Sequence, residues 1–420
     1  TSSFAGEPLL VSLDLLREDG LLGRDDCAPP ARGTAGIGPD GPVHYAVVRA
    51  FKMARLARAY ETWRARRGAT ARAYRAFLHR ERRWLPGWCR FAGAERGAWR
   101  HPGFHAFVQW VFAEQWRQLH ARCAARGVLL LGDVPIFVPL RSADVADHPD
   151  LFRLDARGRP TTLTGVPPDC FSRTGQLWGH PHYRWAAHRR TGFAWWTARV
   201  RHALERCDAL RVDHFVGLVH AYEIPGGART ARRGVWRATP GAELLSALER
   251  AFGRLPLVAE DLGAVTPAVT ALRERFGLPG MKLVHNAFGA PASADLPCMH
   301  PVECVAYPGT HDNDTTVGWW RGLAPPARAR FAAYTGVAED RPRRGLEDRR
   351  VADAMVRAVL ASPARTAIVP MQDHLCLGRA ARMNTPGRAS GQWRWRMPSD
   401  ALHARDAARI RALAEAAARA

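Results

Sequence analysis

"RVDHFVGL" (residues 211–218) closes an apolar run, Ala209-Leu210-Arg211-Val212, with an arginine, an aspartate and a histidine ahead of a glycine. A buried strand gains nothing from ending on three ionisable side chains unless those groups are used. The design recurs in "LLLGDVPIF" (129–137), "LPLVAEDLG" (255–263) and "CVAYPGTHDND" (304–314), each apolar first and acidic at its end. Short apolar runs at 128–132, 208–212, 256–259, 281–285, 303–307 and 366–370 are expected to be strands, with helical or irregular segments between them. One such segment, "PAVTALRERFG" (267–277), opens on proline and closes on glycine, as helices prefer. Strand and helix in alternation predict a parallel sheet. In a (β/α)8 barrel the active site lies at the C-terminal ends of the strands. Asp133, Asp213, Glu260 and Asp312 are each expected at such an end. A single acid there could equally be a helix cap or a turn residue. Four of them in a chain with barrel rhythm point to one mouth.

Outward from these runs, "EPLLVSLDLL" (7–16) reads as one more strand, which brings the count to seven, one short of a closed barrel. Gly23 to Pro42 is rich in Gly, Pro and Asp and reads as loop. From Tyr45 to about Arg126 the texture is helical. In "FHAFVQWVFAEQWRQLHARCAARG" (104–127), Phe104, Phe107, Val108, Val111, Phe112 and Gln115 recur at helical spacing, and Gly127 stands where a cap belongs. The expected division is a barrel over 1–26 and 127–420 with a mainly helical insertion over 27–126. No G-x-G-x-x-G follows any strand, which argues against a dinucleotide fold.

Composition narrows the classes further. Hydrophobic residues make up 47% and charged residues 24% of the 420, as in soluble globular proteins. No apolar run reaches the ~18 residues of a membrane span, and no secretory signal is visible. The formal charge of +22 suggests nucleic acid, but Lys52 and Lys282 are the only lysines and the arginines are scattered along the whole chain. Such scatter reads as a solvated surface rather than a binding stripe. Eight cysteines form no C-x-x-C pair and read as reduced thiols. The expectation is a cytoplasmic protein without nucleic-acid or membrane partners, its oligomeric state left open.

Two chemistries use a ring of carboxylates. A metal hydrolase would need His and Asp ligands, and "THDND" (310–314) contains both. Yet there is no H-x-H or H-E-x-x-H, and Asp213 and His214, as strand neighbours, point to opposite faces. No metal and no cofactor are expected. Glycosyl transfer needs a carboxylate nucleophile and a protonated carboxyl ~5–5.5 Å away for a retaining mechanism. It also uses aromatic faces against sugar rings, which "GQLWGHPHYRW" (175–185), Trp319 and Trp320 could supply or could equally bury as core. Arg211 lies two residues before Asp213 on the same strand face, so its charge favours an ionised Asp213. Glu260 has no basic residue two positions to either side, which suits an acid that must carry a proton.

Seven segments carry a resemblance: "GDVPIFVPLRSADV" (132–145), "GVPPDCFSRTGQLWGHPHYRW" (165–185), "LRVDHFVG" (210–217), "VAEDLG" (258–263), "GLPGMKLV" (277–284), "GTHDNDTTVGW" (309–319) and "RMNTPG" (382–387). In that order they resemble the 4-α-glucanotransferases of the amylomaltase or disproportionating-enzyme family, glycoside hydrolase family 77. The resemblance implies transfer of α-1,4-glucan segments between maltooligosaccharides by a retaining double displacement. It implies Asp213 as nucleophile, Glu260 as acid/base and Asp312 as the residue holding ring hydroxyls of the distorted sugar. It further implies substrate contacts from Arg211, His311, Asp133, Asp169, Phe171, Gln176, Trp178 and Asn384. The stiff Val166-Pro167-Pro168 stretch would belong to a lid that keeps water from the covalent intermediate.

The match departs at Cys170, where the family has a Tyr, and at Val216, His180, Ala146 and "AGEPL" (5–9). Family members also carry an earlier strand, a helix and a Ser-Pro-Tyr segment, so the resemblance implies a barrel without its first strand and helix. The alternatives to a transferase are an α-glucan hydrolase and a truncated, weakly active or inactive glucan-binding relative.

Overall fold

Alternation along "ALRVD" organises the first sheet. In the computed structural model, which describes residues 1–28, 40–66, 70–95, 99, 101, 103–168, 172–337, 344–388 and 390–419, the chain divides into two compact units. One comprises Thr1–Ile37 and His44–Phe276, the other Gly38–Val43 and Gly277–Ala420. Strands of the first unit are, in order, β1 (Leu131–Pro135), β2 (Thr162–Val166), β3 (Gln176–Pro181), β4 (Ala209–Asp213), β5 (His220–Pro225), β6 (Val235–Ala238) and β7 (Leu257–Ala259). β4 lies between β1 and β7, parallel to both. Leu210 and Val212 of β4 face out. With Val134 and Leu257 they meet Trp196 and Val200 of the Ala194–Leu204 helix and Leu244, Leu245 and Leu248 of the Gly241–Phe252 helix around a small apolar cavity. Each such side chain contributes roughly 1.5–3 kcal/mol on burial. That packing sends the alternate residues, Arg211 and Asp213, to the other face.

β1 begins three residues later than expected, so Asp133 is at its middle, opposite Arg211, while Pro135 stands opposite Asp213. The remaining strands form an antiparallel sheet in the order β3-β2-β5-β6, where helical or irregular segments are expected from the sequence. Its runs are short, with β-branched and aromatic residues interspersed (Thr162, Thr164, Val166, Trp178, Tyr222, Ile224, Val235 and Trp236), and an antiparallel strand needs no helix to reach its neighbour.

The strand expected near Leu10 is a correction. Pro8–Leu10 is a single 3-10 turn and Leu13–Glu18 an α-helix. Ser12 caps that helix, its hydroxyl accepting from the Leu15 amide at 3.3 Å, and Leu13 and Leu16 fall on one buried face. A pattern of apolar residues that would fit a strand is here helical because a cap precedes it. Val11, Leu13, Leu16 and Leu22 pack with Leu56, Tyr60, Phe77, Phe104 and Phe107, so the first residues join the core of the helices Tyr45–Arg66, Ala71–Arg80 and Phe104–Ala124 rather than a barrel sheet. The last of these helices ends close to the expected Gly127, which has φ +67°.

The second unit holds β8 (Gly280–Leu283), β9 (Cys304–Tyr307) and β10 (Thr366–Ala367), all parallel with β9 central. β10 is only two residues long because the chain soon reaches Pro370, which leads the Met371–His374 helix. Val284, Phe288, Ala306, Trp320, Phe331, Met355 and Val359 form the core of this unit. Among the described residues no helix is long and apolar enough to cross a membrane.

Candidate active site

Arg211 is the centre of the first unit's acidic cluster. Its side chain is only 9% exposed, yet Nη1 donates to both carboxylate oxygens of Asp133 and to Oδ1 of Asp213, each at 2.9 Å. Burial opposes its charge, but Asp133, Asp213 and Glu260 outweigh that and raise its pKa. The alternation of β4 and the register with β1 produce this arrangement without help from any loop. Asp133 and Asp213 remain 46% and 40% exposed, so water and ligands reach both.

Glu260 follows β7. Its main-chain N–H donates to the Val212 carbonyl at 3.1 Å, and its carbonyl accepts from the Phe215 N–H at 3.1 Å. Its Oε2 accepts from the His214 N–H at 2.8 Å. Removal from water pushes the Glu260 pKa up to about 8; Arg211 and the His214 amide oppose the rise, and Asp213 and Asp261 add to it. A carboxyl that keeps its proton near neutrality therefore stands beside one that shares an arginine, an arrangement that separates an acid from a nucleophile.

His214 directly follows β4 in the left-handed conformation, φ 52° and ψ 50°. Its ring meets Trp178 edge to face, 4.8 Å between centroids. Trp178 lies on β3 with Gln176, whose Oε1 accepts weakly from the indole at 3.4 Å. The expected contacts Arg211, Asp133, Gln176 and Trp178 thus lie in the same unit as Asp213 and Glu260. Asp169 and Phe171, and Cys170 between them, lie outside the described residues.

Asp312 and His311 belong to the second unit, in the turn between β9 and the Thr316–Gly322 helix. Asn313 Oδ1 accepts from the Thr310 amide at 2.8 Å and its hydroxyl at 3.1 Å, tying the turn. Asp314 accepts from Arg379, and the Thr315 hydroxyl caps the helix by accepting from Gly318 at 3.1 Å. Asn384 and Asp312 do come together: Nδ2 donates to Oδ1 at 2.5 Å, and the Asn384 amide donates to the His311 carbonyl at 3.0 Å. Arg382 donates to the Asp312 carbonyl at 2.6 Å.

Trp319 and Trp320 are not sugar surfaces here. Trp319 stacks on His285 at 4.8 Å and donates to its carbonyl, and Trp320 is buried and donates to Glu347. Their i, i+1 placement on a helix turns one indole onto His285 and the other into the core. Two residues were missed. Trp393, 44% exposed, lies 4.9 Å from the His311 ring, and His285, buried, packs beneath the turn so that a Cβ on Gly309 would come within 2.5 Å of its Nδ1. The one hint of Trp393 was the W-R-W repeat at 393–395. Among the described residues no group of three or more His, Cys, Asp or Glu side chains could hold a metal ion.

The family model described as 4-alpha-glucanotransferase matches residues 1–101 and 94–402. The chain is 41% identical to the 4-alpha-glucanotransferase of Thermus thermophilus, over 99% of this chain and 87% of that one. It is 36% identical to that of Synechocystis, over 96% and 83%. Among solved structures, the amylomaltase of Streptococcus agalactiae in complex with acarbose matches with a TM-score of 0.91 at 30% identity, over 100% of this chain and 88% of that one. That likeness carries the (β/α)8-type α/β fold expected from the sequence. A Corynebacterium glutamicum amylomaltase at 18% identity, TM-score 0.76, agrees in fold.

Proposed function

Since the chain belongs to the 4-alpha-glucanotransferase family, we propose that the C-terminal edge of the β1-β4-β7 sheet is where it breaks and remakes α-1,4-glucosidic bonds. The activity is glucan transfer, and the substrates are α-1,4-glucans and maltooligosaccharides. The unlike surroundings of two carboxylates carry the reading: Asp213 is partly exposed and bonded to Arg211, while burial pushes the neighbouring Glu260 up to about 8.

In the first step an Asp213 oxygen attacks the anomeric carbon as the glycosidic C–O bond breaks. Glu260 gives its proton to the departing oxygen, so the reducing-end segment leaves as a neutral alcohol. In the second step Glu260, now a carboxylate, takes the proton of an acceptor hydroxyl. The acceptor oxygen then attacks the same carbon and Asp213 departs, which restores the starting configuration and both protonation states. Arg211 bonds both Asp133 and Asp213 and so fixes the position of the Asp213 carboxylate for attack and departure. Asp312 is proposed to hold sugar hydroxyls, with His311 beside it. That part rests on the "THDND" motif, and it is supported by the bond from Asn384, which orients the carboxylate, and by the bond from Arg382, which holds the Asp312 main chain. Asp169 and Phe171 are retained as substrate contacts on the motif alone. The described cysteines are all free thiols, which supports a cytoplasmic location.

Incubation with maltotriose tests the reading. Longer maltooligosaccharides together with glucose are expected; maltose and glucose in equal amount would make the enzyme a hydrolase. Asp213→Asn and Glu260→Gln should each lower turnover by several orders of magnitude, and a fluorinated glycosyl donor should label Asp213. A label on Glu260 would reverse the assignment.

A further inference from the structure

Five described residues other than glycine have positive φ, and His214 is the one that directly follows the proposed nucleophile. A side chain with a Cβ adopts this region at a cost, although His, with Asn and Asp, pays less than most. Something must hold His214 there. Its carbonyl accepts from the Gly217 amide at 2.9 Å, closing the turn that leads into Phe215–Leu218. Its ring lies edge-on to Trp178, 4.8 Å between centroids, and packs so closely on Gly217 that a Cβ there would be 3.0 Å from the His214 Cδ2. Burial pushes the imidazole down to about 4, Asp213 opposing and His220 adding to the effect, so the ring is a neutral wedge near pH 7.

The consequence falls on Glu260. The His214 N–H, in the peptide plane that leaves Asp213, donates to Glu260 Oε2 at 2.8 Å, and the left-handed turn at His214 sends the next amide, that of Phe215, to the Glu260 carbonyl at 3.1 Å, so the two successive amides hold Glu260 together. We propose that His214 is a positioning residue: its ring, wedged against Trp178 and Gly217, holds the backbone turn whose N–H fixes the Glu260 carboxyl. The inference rests on the reading of Glu260 as acid/base and extends it, because β3, through Trp178, then shares control of that acid. The charged groups facing Glu260 are Arg211 and Asp213 from β4 and Asp261 from its own segment, and substitution at His214 leaves all three in place.

The amide bond favours ionised Glu260, so its loss raises the pKa. His214→Val places a β-branched residue where φ must be positive, and His214→Asn places one that tolerates it. The Glu260 carboxyl is titrated by 13C NMR on glutamate-labelled full chain, its signal assigned by Glu260→Gln, and the pH profile of kcat/KM on maltotriose is recorded alongside. In His214→Val the titration and the basic limb should move up by about one pH unit, with kcat lowered at least about tenfold and KM changed far less. His214→Asn, which tolerates the turn but lacks the wedge, should move in the same direction by clearly less. If His214→Val does not fold, His214→Ala, which keeps the Cβ penalty, takes its place in the same comparison. A Glu260 titration unmoved by Val or Ala, or moved as far by Asn, overturns the proposal. Full turnover in Glu260→Gln would overturn the acid/base reading instead, and the carboxyl titration would still report whether His214 holds Glu260.

Discussion

Glu260→Gln should make the protein more stable in alkali while it removes the acid. A carboxyl whose pKa stands at about 8 in the folded chain, against an ordinary 4.5, binds its proton more tightly folded than unfolded. Between those two values the folded state carries the extra proton, so stability falls as pH rises through the window and levels off above it. At about 1.4 kcal/mol per pH unit the full window amounts to on the order of 4–5 kcal/mol. Glutamine has nearly the same shape, keeps an oxygen for the His214 amide, and has no proton to lose. Relative to the parent, Glu260→Gln should therefore be close to neutral at pH 4.5–5 and stabilising by several kcal/mol at pH 9. Urea unfolding of both proteins at the two pH values gives the double difference, in which every other titrating group cancels. In the parent, kcat/KM should fall along a basic limb near pH 8 as Glu260 ionises, and the stability and activity transitions should coincide. A stability difference equal at pH 5 and pH 9 would refute the burial argument, whatever the activity shows.

Three further outcomes follow from the contacts. Arg211→Met leaves Asp133 and Asp213 close together without their cation; kcat/KM should fall at least about a hundredfold, but because both carboxylates are 40% exposed or more the loss of stability should stay near ~1–2 kcal/mol by chemical denaturation. Gly309→Ala pushes a methyl to within 2.5 Å of the buried His285, so the His311–Asp312 turn must shift, and steady-state kinetics should show kcat falling about tenfold or more. Asn384→Ala removes the 2.5 Å bond to Asp312 and should lower kcat/KM by about tenfold with an unchanged far-ultraviolet spectrum.

Four of the parallel strands, β4, β7, β8 and β9, were legible because they are largely buried and read as apolar runs, and each lies within two residues of its expected place. Segments where one local signal competes with another were not. At Ser12 a helix cap outweighs the apolar run around it, and the resulting helix turns Leu13 and Leu16 into the helical core instead of a sheet. The antiparallel strands β2, β3, β5 and β6 lack both long apolar runs and the helices that mark βα units, so their pairing depends on contacts distant in sequence, such as Leu163 with Ile224.

The site divides along the same line. Arg211 and Asp213 share a face because a strand has period two, and sequence alone carries that fact. Which third group Arg211 meets depends on the register of β1 against β4, and Asp133 reaches it from the middle of its strand, not from the end where an acid was expected. The raised pKa of Glu260 was expected from a lack of basic neighbours in sequence, yet Arg211 does act on it from another strand; the rise survives because burial outweighs that attraction. The side chain of His214, a strand neighbour of Asp213, gives the sequence no reason to assign it a role beside that residue. Its contribution lies in a backbone amide and a positive φ, features of the main chain to which an inventory of side chains is blind. Where catalysis relies on backbone groups, the residue to look for is the one whose conformation is costly and whose neighbours, here Trp178 and Gly217, are packed to hold it there.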